Sequence, residues 1–465
     1  MILHLPADSW TLSPGWPCGG ARRRFLPAIH HRGTMTPSSG NIRIMSPSTT
    51  RTTSTLLALG LGSLLLGSSA STVIADDEKE TSAEKVEAKI DRTALRSLSK
   101  ANQEFAYDFY RRGIHPGRNL VLSPYGISEC FALLYAGSSA DTAHLLEDLF
   151  HYPVPADEIM ASFGNLRRHI DRQGDDETCR IDIASSCWAG KDVRVRPGYA
   201  RDLESNIAGE IFSVDFNDPD AVQERMNTWV DENTNGLIKE APGPVSPADL
   251  LILMNTVHLD ATWKVEFKTA MTRYRPFTLS DGGSINVPTM SQETGHRYLE
   301  NEDAQIIELP YVGDEVSMTL VLPREGRSLA DLEKTLSSAT VAGWDRAMKR
   351  RTVALELPKF EISSELDLKD LLGAMTSTGL FATPDLGRML EGASPTITDA
   401  TQDAVIKVDE SGTEAAALTT ITTSRSVRPR PRPVEMTLDR PFMYLVRDRV
   451  AGTIYFMGRV VNPRG

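Results

Sequence analysis

Near the C-terminus, two strand-like runs (residues 404–408 and 442–446) are joined by a long connection with no helical periodicity. Compact domains join their elements by short loops, so a segment of this size is either functional or unstructured. From Glu410 to Pro441 it reads ESGTEAAALTTITTSRSVRPRPRPVEMTLDRP. At period two, Thr413, Ala415, Ala417, Thr419 and Ile421 share one face, and Glu414, Ala416, Leu418 and Thr420 the other. Thr and Ile favour strands, but three consecutive alanines do not fill a core of their own. No Pro occurs between Glu410 and Arg428, so every residue there keeps the N–H that a central strand needs. Gly412 offers a flexible start. The Arg-Pro repeat at residues 428–433 must form a stiff, extended, polyproline-like rod. Two readings are open: a solvated linker, or a segment able to fill a slot between existing strands.

Composition decides the compartment more than the fold. Residues 1–75 hold six Arg, no Lys and one Asp, which leaves 44 basic and 61 acidic residues to the rest. A body that acidic does not bind nucleic acid through its general field. Residues 1–44 are rich in Pro, Gly, Ser and Arg without periodicity and read as a non-native or unstructured extension. Met45 opens a segment with a positive Arg51, an apolar run over residues 56–67 and small residues before Asp76. That run is too short to span a bilayer comfortably. Residues 45–75 therefore read as a signal peptide cleaved after Ala75, with an uncleaved anchor as the alternative. The mature chain is then expected outside the cell, or in the periplasm of a bacterium, with no membrane span. Residues 76–91 form a charged linker. Of Cys18, Cys130, Cys179 and Cys187, the first falls in the segment to be lost. Three cysteines without a C-x-x-C spacing argue against a disulfide framework and a zinc site, so buried thiols are expected.

Helices concentrate early and strands late, which suits one α+β domain over residues 92–465. Leu95, Leu98, Ala101, Phe105, Ala106 and Phe109 recur at helical spacing over residues 94–112. Ser123-Pro124 opens a second helix with Pro in its first turn, and Asp141 starts a third. Residues 196–208 and 220–237 read as helices, and residues 180–188 alternate as a strand. From residue 250 strands dominate, with residues 284–290 and 296–300 read as two, and turn signals at Asp281-Gly282-Gly283 and Gly313-Asp314-Glu315. Lys349-Arg350-Arg351 reads as a solvated helix end, with a polyanion site as the lesser alternative. No nucleophile elbow, zinc-protease motif, phosphate loop or dinucleotide fingerprint is present. No enzyme, metal site or cofactor is expected, and His258, in an apolar strand, reads as a core histidine.

The segment ESGTEAAA (residues 410–417) resembles the hinge of the reactive-centre loop of serpins. NLVLSPYGIS (119–128), NTWVDENTNGLIK (227–239), LILMNTVHLDATW (251–263), LPKF (357–360) and DRPFMYLV with FMGRVVNP (439–463) resemble, in order, further segments of that family. The likeness covers roughly residue 90 to the end. It implies a serpin fold, with three β-sheets, eight or nine helices and an exposed reactive-centre loop. It also implies an inhibitor that forms a covalent acyl-enzyme with a serine protease, expected as a monomer. The cleaved loop would enter the central sheet as a new strand, and about 15 residues at roughly 3.3 Å each would carry the enzyme about 50 Å. The hinge would be Glu410, Gly412, Thr413, Glu414, Ala415, Ala416 and Ala417, all but the two acids small. Glu410, Lys359 and Trp263 match the place where the loop meets the sheet. Asn119, Ser123, Pro124 and Asn255 match the polar cluster beneath the strands that part. Gln402 stands where a His is usual, and Gly126 where a Ser is usual. Counting from Glu410 gives Ser426-Val427 as the cleaved bond, an elastase-like or subtilisin-like choice. Arg425-Ser426 is the one Arg bond at the loop's apex not blocked by a following Pro, and it is preferred, with a trypsin-like target. Arg428, Arg430 and Arg432 form a candidate protease exosite. A non-inhibitory binding, carrier or chaperone-like member of the family is the alternative.

Overall fold

The computed structural model describes residues 2–6, 90–173, 178–376, 379–392, 396–397, 399–413 and 432–465. The signal-peptide reading, Cys18, nearly all of the charged linker, hinge residues Glu414 to Ala417, both candidate cleavage sites, Arg428 and Arg430 lie outside the described residues. In chain order the first half contains strand β1 (Ile2–Pro6), helix α1 (Arg92–Gly113), β2 (Leu120–Leu122), α2 (Pro124–Gly137), α3 (Ala140–Phe150), α4 (Ile159–Gln173), β3 (Cys179–Gly190), α5 (Pro197–Ile207), β4 (Glu210–Val214) and α6 (Pro219–Asn233). There follow β5 (Asp249–Thr262), β6 (Arg273–Thr278), β7 (Ser284–Glu300), β8 (Ala304–Pro310), β9 (Val316–Pro323), α7 (Leu329–Lys334), α8 (Ser338–Ala347), β10 (Lys349–Pro358), β11 (Phe360–Asp367) and α9 (Leu368–Gly373). The chain closes with β12 (Asp399–Val408), β13 (Gly412–Thr413), β14 (Val434–Thr437), β15 (Phe442–Asp448) and β16 (Ile454–Val460).

Local chemistry accounts for the helix starts. Asp91 caps α1 by accepting from the N–H groups of Thr93 and Ala94 at 2.8 and 3.1 Å. Ser123 caps α2 by accepting from Gly126 N at 3.1 Å, with Pro124 in the first turn. Nearly every residue of α2 is buried, including Glu129. Gly282 turns β6 into β7 at φ +84°, a conformation glycine adopts without strain, and Gly283 N donates to the Asp281 carboxylate at 2.9 Å.

Strands form two hydrogen-bonded sheets. One contains β11, β12, β13, β5, β3 and β4, with β1 between β12 and β5. The other runs β14-β10-β7-β8-β9-β15-β16-β2, with β6 on β7. Two of the three expected sheets are thus joined through β7. That strand is continuous because its polar middle, Gln292 to Gly295, pairs with Leu355 to Thr352 of β10. Lys349, Arg350 and Arg351 open β10 opposite Tyr298, Arg297 and His296, so they begin a strand and do not end a helix. Cys130, Cys179 and Cys187 are buried and lie outside any disulfide. Burial pushes Cys130 and Cys187 up to about 12. Residues 1–44 were expected to lack structure, yet Ile2–Pro6 forms a strand in the first sheet. Among the described residues no helix is long and apolar enough to cross a membrane.

Candidate functional site

The first sheet is built around an incomplete position. β1 and β13 both run antiparallel to β5 and to β12, so β5 and β12 run parallel to each other and flank a slot. At its upper end a tight turn feeds the chain back into the sheet. Asp409 Oδ1 accepts from Ser411 N at 2.9 Å, and Asp409 N donates to Gly412 O at 3.0 Å. Gly412 then pairs with Thr262, and Thr413 with Ala261 on one side and Val408 on the other. Gly412 serves close approach here and not flexibility: a Cβ would lie 1.9 Å from Ala261 O. Thr413 is 3% exposed, and its hydroxyl meets Tyr311 Oη at 2.7 Å. Tyr311 stacks on Trp263 with centroids 4.5 Å apart, and Trp263 Nε1 donates to Asp409 O at 3.0 Å.

Glu410 and Lys359 come together beside Trp263. Lys359 Nζ donates to Glu410 Oε2 at 2.6 Å, and Thr272 Oγ1 to Glu410 Oε1 at 2.7 Å. Phe267 N donates to Glu410 O, and Trp263 N to Ser411 O, at 2.9 and 2.8 Å. Burial favours the neutral acid, but the Lys359 ammonium and the Thr272 hydroxyl outweigh it and hold the Glu410 carboxyl below its ordinary 4.5. A depressed carboxylate contributes stability that is complete above the unfolded-state value and is lost as pH falls through the folded one. Hinge docking is therefore expected to loosen below about pH 4.5. Glu410→Gln should remove that acid step, read as hydrogen exchange at Gly412 and Thr413 between pH 6 and 3. An identical pH profile in the variant would disprove the assignment.

Beneath the slot, α2 is tied to both flanking strands. Gln402 on β12 makes a reciprocal pair of bonds with Ser123: its Oε1 accepts from Ser123 N and its Nε2 donates to Ser123 O, each at 3.0 Å. Gln in this position therefore fastens β12 to the start of α2. Asn255 on β5 donates to Glu129 Oε2 at 2.7 Å and to Ser185 Oγ at 3.1 Å. Gly126 leaves room for Asn255, whose Oδ1 would lie 2.9 Å from a Cβ there. Glu129 is paired with Arg167 through two bonds of 2.6 and 3.0 Å, and Arg167 also donates to Ser185 Oγ at 2.7 Å. Glu129, Arg167 and Ser185 had no signal in the sequence reading, since they lie on three elements that only the fold brings together. Asn119 does not join the cluster. Its amide donates to Asn462 O, and its carbonyl accepts from Val461 N and Asn462 N, so it anchors the chain's last strand.

About 30 Å³ is open beside β5 and β12, among Ser123, Asn255, Thr256, Gln402 and Asp403 and, from α6 and the turn after it, Val230 and Leu237. That is room for one or two waters. Thr256 Oγ1 and Asp403 Oδ1 are buried without a hydrogen-bond partner among the described residues, and burial pushes the Asp403 carboxyl up. Buried groups left unpaired are costly. The described residues contain no group of three or more His, Cys, Asp or Glu placed to hold a metal ion. Arg432 is exposed ahead of β14.

Gly412 and Thr413 thus enter the first sheet between β5 and β12. The serpin (serine protease inhibitor) family model matches residues 100–463. The chain belongs to the serpin family. It is 31% identical over 382 residues to antithrombin-III of Mus musculus, covering 79% of this chain and 82% of that one. It is also 31% identical over 366 residues to an uncharacterised serpin-like protein of Thermococcus kodakarensis, covering 78% and 85%. The structure of human thyroxine-binding globulin complexed with thyroxine matches with a TM-score of 0.72 at 26% identity, covering 80% of this chain and all of that one.

Proposed function

We propose that this serpin inhibits a serine protease by suicide trapping. The protease attacks the loop at Arg425-Ser426, its serine holds the new acyl end at Arg425, and the peptide beginning at Ser426 leaves as the amine. The loop then zips into the slot between β5 and β12 before water can hydrolyse the acyl-enzyme. The observation that supports this reading is the docked hinge: Gly412 and Thr413 are already in register at the head of the slot. Residues 415–424 follow with small or β-favouring side chains except Leu418, and with no proline. Thr256 and Asp403, on the strands that flank the slot, carry buried polar atoms without a partner among the described residues. Arg425 fits a trypsin-like enzyme. Export of the chain beginning at Asp76 suits such a target. Arg428, Arg430 and Arg432 would steer an acidic enzyme surface to the loop.

The test incubates the chain beginning at Asp76 with trypsin, elastase and subtilisin, followed by a denaturing gel and mass measurement of the released peptide. A denaturant-stable complex with trypsin and a peptide starting at Ser426 is expected. Converting the three arginines to Ser should slow complex formation at low salt and flatten its salt dependence. A peptide starting at Val427 with elastase or subtilisin trapped moves the specificity to Ser426-Val427. Cleavage without any complex overturns the inhibitory reading in favour of a binding or carrier role, the kind of role thyroxine-binding globulin has by name.

A further inference from the structure

The lower half of the slot is occupied. Ile2 pairs with Met254 of β5 and with Thr401 of β12; Leu3 pairs with Leu253 and Ala400, and His4 with Ile252 and Asp399. The ladder to β5 continues through Leu5 opposite Leu251. The hinge defines where the loop itself would lie. Gly412 faces Thr262 and Thr413 faces Ala261, so each step forward along the loop meets one step back along β5. Continuing that register brings Thr420 to Met254 and Thr423 to Leu251. The β12 side gives the same answer independently: Thr413 faces Val408, so Thr420 would face Thr401. Ile2 sits opposite both Met254 and Thr401. Residues 2–4 thus hold, on both flanks and in the same direction, the backbone positions that residues 420–422 would take, and Leu5 holds that of Thr423 on the β5 side.

We propose that residues 2–5 are an internal occupant of the loop slot, and that they hold the protein in a non-trapping state until they are removed. The inference rests on the trapping mechanism proposed above. Two strands cannot share one ladder position, because each backbone N–H and C=O of β5 and β12 is used once. With β1 in place, insertion from Thr413 can proceed through residues 414–419 and then stops. Six residues at roughly 3.3 Å move an attached enzyme about 20 Å, half of the distance that the twelve residues to Arg425 would give. The 83 residues between Pro6 and Ile90 are long enough to let the N-terminus reach the slot. Cleavage after Ala75 would remove residues 2–5 with the rest of residues 1–75.

Three proteins test this: the full chain, the chain beginning at Asp76, and the full chain with Leu3→Pro, which removes one ladder donor without truncation. Amide hydrogen exchange at residues 249–254 and 399–401 is the direct readout. Exchange there should be at least about tenfold slower in the full chain than in the other two. Covalent complex with trypsin should form with the shortened chain and with Leu3→Pro, while the full chain is cleaved and released. Equal exchange in all three proteins would overturn the inference, whatever their inhibition. The exchange difference without trapping by any of them would leave β1 as the occupant and remove the inhibitory reading. Equal trapping by all three despite the exchange difference would overturn the regulatory claim, because the loop would then displace the strand.

Discussion

Replacing Thr413 by Arg is expected to abolish covalent trapping while leaving cleavage of the loop intact. Thr413 is the last described hinge residue, and the rest of the loop must follow it into the slot. Its side chain is enclosed by β5, β12 and Tyr311, with its hydroxyl bonded to Tyr311 Oη at 2.7 Å. A guanidinium placed there would have to shed its hydration without a carboxylate to receive it, at a cost of several kcal/mol. The hinge would undock instead, and insertion would have to begin from an unseeded loop. Each 1.4 kcal/mol on the insertion barrier slows it about tenfold. The partition between insertion and hydrolysis of the acyl-enzyme should therefore move toward hydrolysis by at least about a hundredfold. The protease attacks the loop's apex, remote in sequence from position 413, so the cleavage rate should hold. Thr413→Ser keeps the hydroxyl and the small size and should retain trapping. An unchanged ratio of inhibitor to trapped enzyme for Thr413→Arg would defeat the zipping mechanism.

The segment that begins at Glu410 stands out in the sequence because its parts carry unusual local signals: an early Gly, a run of small residues, and, before it in the chain, a Trp at the end of an apolar strand. The helix over residues 94–112 was legible for a similar reason, since its buried face is almost wholly apolar. Helix α4 was not, because its buried positions include Asn165, Arg167, His169 and Gln173, which interrupt the apolar period. Each of these polar groups is satisfied by a partner far off in the chain. His169 and Gln173, for example, both reach Asp448 Oδ2, at 2.6 and 2.7 Å. The basic residues 349–351 misled for the opposite reason: their charges suggested a helix end, while their pairing with β7 makes them strand. Asn119 is grouped with Ser123 by the family resemblance, yet it lies on the other side of β2 in the chain, and its hydrogen bonds go to Val461 and Asn462. The occupant of the slot had no local signal at all. Residues 2–6 are a short apolar run like many others, and only the two flanking registers identify what they replace.

The buried pair of Glu129 and Arg167 is where a single substitution should cost the most stability. Glu129 has no solvent exposure, and Arg167 spans from it to Ser185 Oγ and to the carbonyl of Ile207. Burial alone would weaken the Arg167 charge, but the Glu129 carboxylate outweighs this and holds the guanidinium firmly protonated. Through Asn255 the same carboxylate reaches the middle of β5, so the pair fastens α2, α4, β3 and β5 at one point. Arg167→Met preserves much of the volume and strands the carboxylate, which is expected to cost about 3–5 kcal/mol. The companion change Glu129→Gln together with Arg167→Met removes both charges and should recover most of that loss, since a paired absence leaves no uncompensated ion. Chemical unfolding of the three proteins gives the comparison. Without Arg167 the two groups that hold Asn255 of β5, Glu129 and Ser185, lose their common partner, so β5 should be held less firmly and the single variant should polymerise faster on mild heating, by insertion of one molecule's loop into the next. Equal unfolding midpoints for Arg167→Met and the parent would mean that water reaches Glu129 and that the cluster does not restrain the sheet. A destabilised variant that stays monomeric would separate the two roles, leaving the pair as a stabilising contact with no part in keeping the slot shut.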